Sequence, residues 1–181
     1  MRIISGSRRG RKLISFEGNA IRPTTDRVKE SLFNLIQDYV SGSRVLDLFG
    51  GSGALALEAL SRGAAFATIV DKDKKAVELI RKNVELTGFE ELCDVCLTDA
   101  KEYILQKRNS FDIIFLDPPY NKGFVIPVLC EISSKGILNG GGIAVLESDF
   151  CDDHGDVCGF EIIKQKKYGR TYITVYKKTS D

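Results

Sequence analysis

The chain has 181 residues, of which 43% are hydrophobic and 28% charged, and its formal net charge is +1. This length fits one domain with a short appendage, and the apolar content is sufficient for a hydrophobic core. There is no apolar run of membrane-spanning length and no secretion signal behind the basic N-terminus, so we expect a cytoplasmic protein.

Positive charge is concentrated near the two ends of the chain. Residues 1–30 hold eight basic and three acidic side chains, and residues 161–178 hold six basic and one acidic. Basic segments on a nearly neutral protein predict a surface that binds a polyanion. Ordinary solvated surface charge is the alternative interpretation.

The first elements in chain order are a hairpin and a helix. Residues 2–17 predict two short strands around a basic turn, so we divide the chain into a β-hairpin arm, 1–20, and a main domain, 21–181. An apolar stripe at helical spacing predicts a helix over 24–40, which Thr25 or Asp26 can cap.

From residue 43 onward, short apolar strands alternate with helices. The strands are predicted at 44–49, 66–71, 94–99, 111–117 and 141–148, with two more within 159–178. This alternation predicts an α/β fold with a mostly parallel seven-stranded sheet, helices on both faces and an antiparallel hairpin at one edge. Ligands of such sheets bind beyond the carboxyl ends of the strands.

Five cysteines are present, at positions 93, 96, 130, 151 and 158. An odd count without a secretion signal argues against a disulfide framework. Cys93 and Cys96 fall on a predicted strand and should point to opposite faces, which disfavours a zinc set with Cys151, His154 and Cys158. We therefore predict no metal site and expect the cysteines to fill the core.

A glycine loop follows the first strand, in the segment Asp47-Leu48-Phe49-Gly50-Gly51-Ser52-Gly53. Glycines permit a tight turn and a close approach of the backbone to a ligand. Asp71 ends the second strand, where its carboxylate can accept both ribose hydroxyl protons. The loop also fits the dinucleotide pattern, so a nicotinamide or flavin protein is an alternative.

Two further acidic residues favour S-adenosylmethionine as the ligand. Asp47 can hold the ammonium of an amino-acid moiety, and Asp99, followed by Ala100, can bond an adenine amino group. A zwitterion with a sulfonium charge gains from an additional carboxylate, whereas a pyrophosphate does not. A helix cap is the alternative role for Asp47. The predicted cofactor contacts in this part of the chain are Asp47, Phe49, Gly50, Gly51, Gly53, Asp71, Asp99 and Ala100.

The segment Asp117-Pro118-Pro119-Tyr120 directly follows a buried strand and is the predicted catalytic loop. Two prolines stiffen the turn and remove backbone donors. Asp117 and the Pro118 carbonyl can accept the hydrogens of an exocyclic amino group, and Tyr120 can stack on the base. A base inside a helix would have to be flipped out to reach this loop. The alternative is a strand-ending turn without chemistry.

Four segments together carry a family resemblance: RIISGSRRGRKL, RPTTDRVKESLFN, VLDLFGGSGALALEALSRGA and FLDPPY. Over nearly its full length the chain resembles the bacterial 16S ribosomal RNA guanine-N2 methyltransferases of the small, single-domain D type. The resemblance implies a Rossmann-like class I methyltransferase fold and S-adenosylmethionine as the donor. It also implies that the acceptor is a guanine N2 of 16S rRNA in an assembling small subunit. We expect a monomer.

Within that resemblance we expect Thr24 and Arg27 near the cofactor and Arg22 near the substrate, although a helix cap with surface charge is the alternative. The basic residues expected to contact rRNA phosphates are Arg8, Arg9, Arg11, Lys12 and, in the tail, Arg170. The chain departs from its relatives at two positions. Gly50 stands where they often carry Ala, which we expect to loosen the loop, and Arg170 stands where they often carry Asp.

Three other functions compete with this interpretation. One is a DNA adenine-N6 or protein glutamine methyltransferase. The DNA enzymes usually carry a separate target-recognition domain, for which the chain has no room, and the glutamine enzymes typically have Asn at the position of Asp117. A second is a non-catalytic RNA-binding protein on a methyltransferase scaffold, and a third is a nucleotide oxidoreductase.

Overall fold

The computed structural model of the protein describes residues 1–16, 25–106, 109–118, 125–151 and 156–179. The strands are β1 Arg44–Asp47, β2 Phe66–Asp71, β3 Cys93–Leu97, β4 Phe111–Leu116, β5 Leu138–Ser148, β6 Phe160–Tyr168 and β7 Thr171–Lys178. The α-helices are α1 Asp26–Leu35, α2 Gln37–Val40, α3 Ala54–Ser61, α4 Lys74–Thr87, α5 Ala100–Gln106 and α6 Val125–Lys135, and a short 3₁₀ helix spans Glu90–Leu92.

The seven strands form one sheet in the order β3-β2-β1-β4-β5-β7-β6. The first five strands of the chain pair in parallel, and β7 pairs antiparallel with both β5 and β6. The predicted mostly parallel sheet with an antiparallel hairpin at one edge is thereby confirmed. The chain reverses its direction across the sheet between β1 and β4, which opens a crevice at the carboxyl ends of these two strands.

Helices cover both faces of the sheet, because alternate strand residues pack into two separate cores. On one face Val45, Ile69 and Ile113 pack with the hairpin, α1, α2, α3 and α4. On the other face Leu46 and Ile114 pack with α5 and α6. The central strands therefore appear in the sequence as nearly continuous apolar runs. None of the helices in the described residues is long and apolar enough to cross a membrane.

The hairpin lies against the domain, with Ile3 and Leu13 buried in the first core. Its two arms share only one β-bridge, between Arg2 and Lys12, where we had predicted two short strands. Part of the backbone bonds elsewhere: the amide of Ser7, for example, donates to the carbonyl of Ser61 at the end of α3, at 2.7 Å. Backbone hydrogen bonds still join the two arms, such as that from the Ile3 amide to the Arg11 carbonyl at 2.9 Å, so the contacts with α3 add to a short pairing.

Glu58 on α3 binds the hairpin to the main domain. Its carboxylate accepts hydrogen bonds from the amides of Ile4 and Ser5, at 2.8 and 3.0 Å. It also accepts from Arg62 Nε at 2.8 Å and lies 3.1 Å from Lys29 Nζ. The side chains of Lys29 and Glu58 are both fully buried. Burial lowers the pKa of Lys29, and the charge of Glu58 opposes that change.

Lys29 also donates a 2.6 Å hydrogen bond to the Arg2 carbonyl, which joins α1 to the hairpin. The helix predicted over 24–40 begins as expected, since the hydroxyl of Thr25 accepts from the amide of Val28 at 3.3 Å. It is interrupted at Ile36, where α1 ends and α2 follows. The apolar stripe continues through Ile36, so the periodicity gave no indication of this break.

The cysteines depart from the prediction in part. Cys130 on α6 and Cys158 before β6 form a disulfide, although the odd count argued against one. The two residues are 28 positions apart, and packing brings their Cα atoms to 5.1 Å. Cys151 is exposed and does not fill the core. Cys93 and Cys96 do point to opposite faces, one into each core, as strand alternation predicts.

Candidate active site

Four aspartates lie at the carboxyl ends of four neighbouring strands. Asp47 is the last residue of β1 and Asp71 the last of β2, while Asp117 directly follows β4 and Asp99 follows β3 by two residues. Asp47 pairs in register with Ile69 and Phe115, so Asp71 and Asp117 reach two residues further toward the edge. The predicted grouping of these carboxylates at one edge is confirmed.

The glycine loop closes against the end of β2. The amide of Gly51 donates to Asp71 Oδ2 at 2.9 Å, and the amide of Gly53 donates to the Gly50 carbonyl at 2.6 Å. Gly51 and Gly53 have φ angles of 55° and 77°, a region that favours glycine. Asp71 Oδ1 accepts from the Asp73 amide at 2.9 Å. Each carboxylate oxygen has two lone-pair sites, so Asp71 retains acceptor capacity toward a ligand.

The close packing around position 50 explains why a glycine stands there. A Cβ atom there would clash with Ile69 Cγ2 and lie only 2.8 Å from Ile80 Cδ1, neither of which can move away without repacking the core. The amide of Gly50 meanwhile donates to the Val70 carbonyl at 2.9 Å, which draws the loop close to β2. The structure thus gives this glycine a reason other than the looser loop that we expected.

Asp47 is buried at the start of the loop, with 2% of its surface exposed. Its Oδ1 accepts from the Phe49 amide at 3.3 Å. Burial raises the pKa of Asp47 to about 7; the amides of Phe49 and Ala56 oppose this, and the charge of Asp71 adds to it. The Ala56 amide belongs to the first turn of α3, whose N-cap residue is Gly53. Asp47 therefore also serves the helix start, in line with the alternative role considered for it.

Asp99 and Ala100 begin α5. Asp99 Oδ1 accepts from the Lys101 amide at 2.9 Å, so this carboxylate caps the helix with one oxygen. Asp99 is half-buried and Ala100 is buried. The other oxygen of Asp99, Oδ2, is the one that could accept a hydrogen bond from an adenine amino group.

Asp117 and Glu147 lie side by side at the crevice. Leu116 pairs with Leu146, which sets Asp117, the residue after β4, beside Glu147 in β5. Asp117 as a whole residue is exposed, whereas the protein around its carboxyl group desolvates that group. This desolvation, together with the negative charges of Glu147 and Asp47, raises the pKa of Asp117 well above its usual range.

Glu147 was absent from the predicted site. The sequence did carry a signal for it, because Glu147 is an acidic residue near the carboxyl end of a buried strand. The same rule identified the four aspartates. The position of Glu147 next to Asp117, in contrast, depends on the pairing of β5 with β4, which the sequence order alone does not reveal.

The other predicted site residues divide into two groups. Arg22, Thr24, Pro119 and Tyr120 lie outside the described residues. Of the described ones, Pro118 is half-buried beside Asp117, and Phe49 is half-buried in the glycine loop. Arg27 is exposed in the first turn of α1. The neighbouring Asp26 accepts a hydrogen bond from Arg2 Nε at 3.0 Å, which places this first turn beside the base of the hairpin.

The hairpin runs from the glycine loop, at the carboxyl ends of the parallel strands, to the edge of the sheet formed by their amino ends. At its base, Ser52 Oγ donates to Met1 Sδ at 3.4 Å. At its tip, Arg8 Nε donates to the carbonyl of Thr87, the last residue of α4, at 2.7 Å, and its guanidinium lies over the Phe89 ring. The predicted RNA-binding residues that follow are exposed: Arg9, Arg11 and Lys12.

Arg170 lies at the same edge as Asp117. It is exposed in the turn between β6 and β7, and the pairing of Ser148 with Tyr172 sets this turn beyond the carboxyl end of β5. Lys167 Nζ lies 5.1 Å from the centroid of the Tyr172 ring beside it. The basic tip of the hairpin and the basic turn at Arg170 thus lie at opposite edges of the sheet.

The sequence and the fold are similar to those of known proteins. "Putative rRNA methyltransferase YlbH" of Bacillus subtilis is 39% identical over 98% of this chain and 99% of that protein. "Ribosomal RNA small subunit methyltransferase D" of Escherichia coli K12 is 37% identical over 98% of this chain and 90% of that protein. A solved structure, "Putative methyltransferase yhhF from Escherichia coli", superposes with a TM-score of 0.89 at 34% identity, covering 100% of this chain and 99% of that one.

These likenesses cover nearly the whole chain, including the hairpin segment, the glycine loop and the segment that begins at Asp117. The fold is therefore that of a methyltransferase, as the resemblance predicted. The family described as Conserved hypothetical protein 95 matches residues 1–177, and the chain belongs to that family.

Proposed function

We propose that this protein transfers a methyl group from S-adenosylmethionine to the exocyclic N2 of a guanine in 16S rRNA of the small ribosomal subunit. The observation that carries the proposal is the arrangement of carboxylates around a closed glycine loop, next to the loop that begins at Asp117. The relative named as ribosomal RNA small subunit methyltransferase D supports the choice of substrate.

The residues present fit a cationic cofactor better than a dinucleotide. In dinucleotide-binding folds a pyrophosphate takes the amides at the start of the first helix. Here the buried carboxyl group of Asp47 already bonds the Ala56 amide in that first turn. A pyrophosphate would add negative charge beside Asp47 and Asp71, whereas a sulfonium and an ammonium offset that charge.

Each carboxylate has a proposed partner on the cofactor. Asp47 holds the ammonium, Asp71 the ribose hydroxyls and Asp99 the adenine amino group, with Ala100 and the glycine loop shaping the pocket. Thr24 and Arg27 are proposed to bind the cofactor's carboxylate. Bound S-adenosylmethionine supplies a methyl group already activated by its sulfonium sulfur, so the protein has to align the acceptor more than activate it.

Asp117 is proposed to orient the acceptor nitrogen. The amine's lone pair is delocalised into the purine ring, and the nitrogen becomes nucleophilic when its hydrogens bond to the Asp117 carboxylate and the Pro118 carbonyl. Pro119 stiffens this turn, and Tyr120 stacks on the flipped base. Once the acceptor nitrogen is methylated, the Asp117 carboxylate would take up its surplus proton or pass it to water.

The test is to assay Asp117→Ala for transfer of tritiated methyl groups into 16S rRNA, beside a titration of cofactor binding. We expect methyl transfer to be lost while the Kd for S-adenosylmethionine stays within about fivefold of wild type. Mass mapping of rRNA from a strain lacking the gene should show one guanine without its N2 methyl group. Full activity of the variant, or an unaltered set of guanine modifications, would refute the proposal.

A further inference from the structure

A groove separates the tip of the hairpin from the C-terminal end of α4. Residues 7–14 form one wall and residues 85–88 form the other, around a volume of about 970 Å³. Because α3 and α4 start at the carboxyl edge, the far end of this groove lies at the other edge of the sheet. Its Ile14 end approaches the glycine loop, because Asn83 Nδ2 donates to the carbonyls of both Ile14 and Ser52 at 2.9 Å.

The groove combines positive charge with exposed apolar surface. Arg8, Arg9, Arg11 and Lys12 line it, opposed by a single lining carboxylate, Glu85. Ile14 and Leu86 also line it, and 42% and 43% of their surfaces are exposed. Cations attract phosphates, and exposed aliphatic side chains can pack against the apolar face of an unpaired base.

The walls are held in place on both sides. Asn83 of α4 bonds both backbone groups of Ile14, with its Oδ1 accepting at 2.7 Å and its Nδ2 donating at 2.9 Å. The Arg8 amide donates to Ser61 Oγ at 3.0 Å, while its side chain bonds the Thr87 carbonyl. A preformed cleft of this kind costs little ordering when a ligand binds.

We propose that this groove binds an unpaired stretch of RNA outside the pocket for the methylated nucleotide, with its phosphates on Arg9, Arg11 and Lys12 and a base against Ile14 and Leu86. The inference rests on the proposed function, because it takes the RNA to be the rRNA substrate. The excess of cations is what favours RNA over a protein segment. Arg8 belongs to the wall and holds the cleft open.

An RNA site outside the pocket at Asp117 affects binding of the substrate and leaves the chemistry at Asp117 intact. The proposal is tested with Arg11→Glu and Leu86→Gln. Their matched controls are Lys135→Glu, which also reverses a positive charge, and Leu105→Gln, both at exposed positions on the helices of the other face. Deproteinised 16S rRNA is the probe, and its Kd is measured across a series of salt concentrations.

We expect Arg11→Glu to weaken rRNA binding about tenfold and to lower the slope of log Kd against log salt by about one. Leu86→Gln should weaken binding about fivefold without altering the slope, since apolar packing carries no counterion release. Both variants should raise the KM for rRNA and leave kcat within about twofold. The controls should match wild type in each measurement.

Ultraviolet crosslinking of wild-type protein to the same RNA, with mass spectrometry of the crosslinked peptides, gives an independent readout. Crosslinks should fall within residues 9–14 or at Leu86. The proposal is overturned if the variants bind rRNA as their controls do, or if they impair methylation only of protein-containing particles. A wild-type protein that binds and crosslinks rRNA but transfers no methyl group would contradict the proposed function instead.

Discussion

The pKa of Asp47 links the site to the stability of the fold. In the folded protein its carboxyl group titrates at about pH 7, and in an unfolded chain an aspartate titrates near pH 4. As the pH rises from about 4 to about 7, this group ionises only in the unfolded chain, which is thereby favoured. Asp47 thus lowers stability at neutral pH, a cost that is typical of residues retained for binding.

Asp47→Asn should therefore be more stable than wild type at neutral pH and bind the cofactor worse. We expect the fall in the free energy of unfolding between pH 5 and pH 7.5 to shrink by about 1–3 kcal/mol in the variant. Urea denaturation at the two pH values measures this, and calorimetry should show at least a tenfold higher Kd for S-adenosylmethionine. Asp38→Asn, at an exposed position on α2, is the control. Parallel pH profiles for wild type and Asp47→Asn would count against this account.

Burial and, after it, the negative charge of Glu147 raise the pKa of Asp117. In the proposed mechanism the ionised carboxylate of Asp117 is the stronger acceptor for the amine hydrogens and for the surplus proton. Activity should then rise with pH through that pKa, and Glu147→Gln should move the acidic limb of the kcat/KM profile to lower pH. Glu147→Asp keeps the charge and should leave the limb near its original position. A shift of the Glu147→Gln limb to higher pH would contradict the assigned interaction.

At the scale of elements, the hairpin and α3 behave as one unit because Glu58 joins them. One carboxylate satisfies two hairpin amides and faces the charges of Lys29 and Arg62. A buried charge without its partner is strongly destabilising, whereas a complete pair is nearly neutral. Lys29 belongs to the segment RPTTDRVKESLFN, so this segment holds the hairpin in place in addition to its proposed role at the cofactor site.

Glu58→Gln should destabilise the protein by about 3–5 kcal/mol, because it leaves the Lys29 ammonium buried without a counter-charge. Hydrogen exchange should accelerate at the amides of Ile4 and Ser5, which lose a charged acceptor. Removing both charges in the double variant Lys29→Met/Glu58→Gln should recover part of the stability. If the double variant were as unstable as the sum of the two single changes, the ion pair would not be the cause.

At the scale of the whole molecule, the basic residues lie at two distant sites, one of which is at the same edge of the sheet as Asp117. Arg170 lies beyond the carboxyl end of β5, and Arg11 lies at the hairpin tip across the sheet. An RNA that contacted both would extend across the domain past Asp117. This arrangement suits a large folded substrate better than a short oligonucleotide.

Arg170→Glu and Arg11→Glu should therefore weaken rRNA binding independently. Sites this far apart without shared partners are generally additive to within about 0.5 kcal/mol, so the fold-changes in Kd should multiply in the double variant. Filter binding of deproteinised 16S rRNA at fixed salt measures all four proteins. A double variant no weaker than either single variant would place both residues on one contact and contradict the extended path.

Local pattern alone was enough to predict the seven strands of the sheet, with bounds that differ by up to three residues, the order of α3 to α6 and the aspartates at the strand ends, because each depends on residues close in sequence. β2 was predicted at its observed bounds, and the carboxyl-edge grouping followed from parallel pairing. Apolar periodicity did not predict the break at Ile36. It also did not predict that the hairpin has a single β-bridge, because part of its backbone bonds to α3, for example to the carboxylate of Glu58.

The amino-acid sequence by itself thus determined the fold class, the glycine loop and the acidic ends of the strands. Only the tertiary structure decided which of these groups meet: Glu147 beside Asp117, Glu58 beneath the hairpin, Cys130 against Cys158, and Leu86 across from Arg11. The reason is that all four juxtapositions join residues at least 28 positions apart, and their partners are chosen by strand order and helix packing. No local period of the chain encodes those choices.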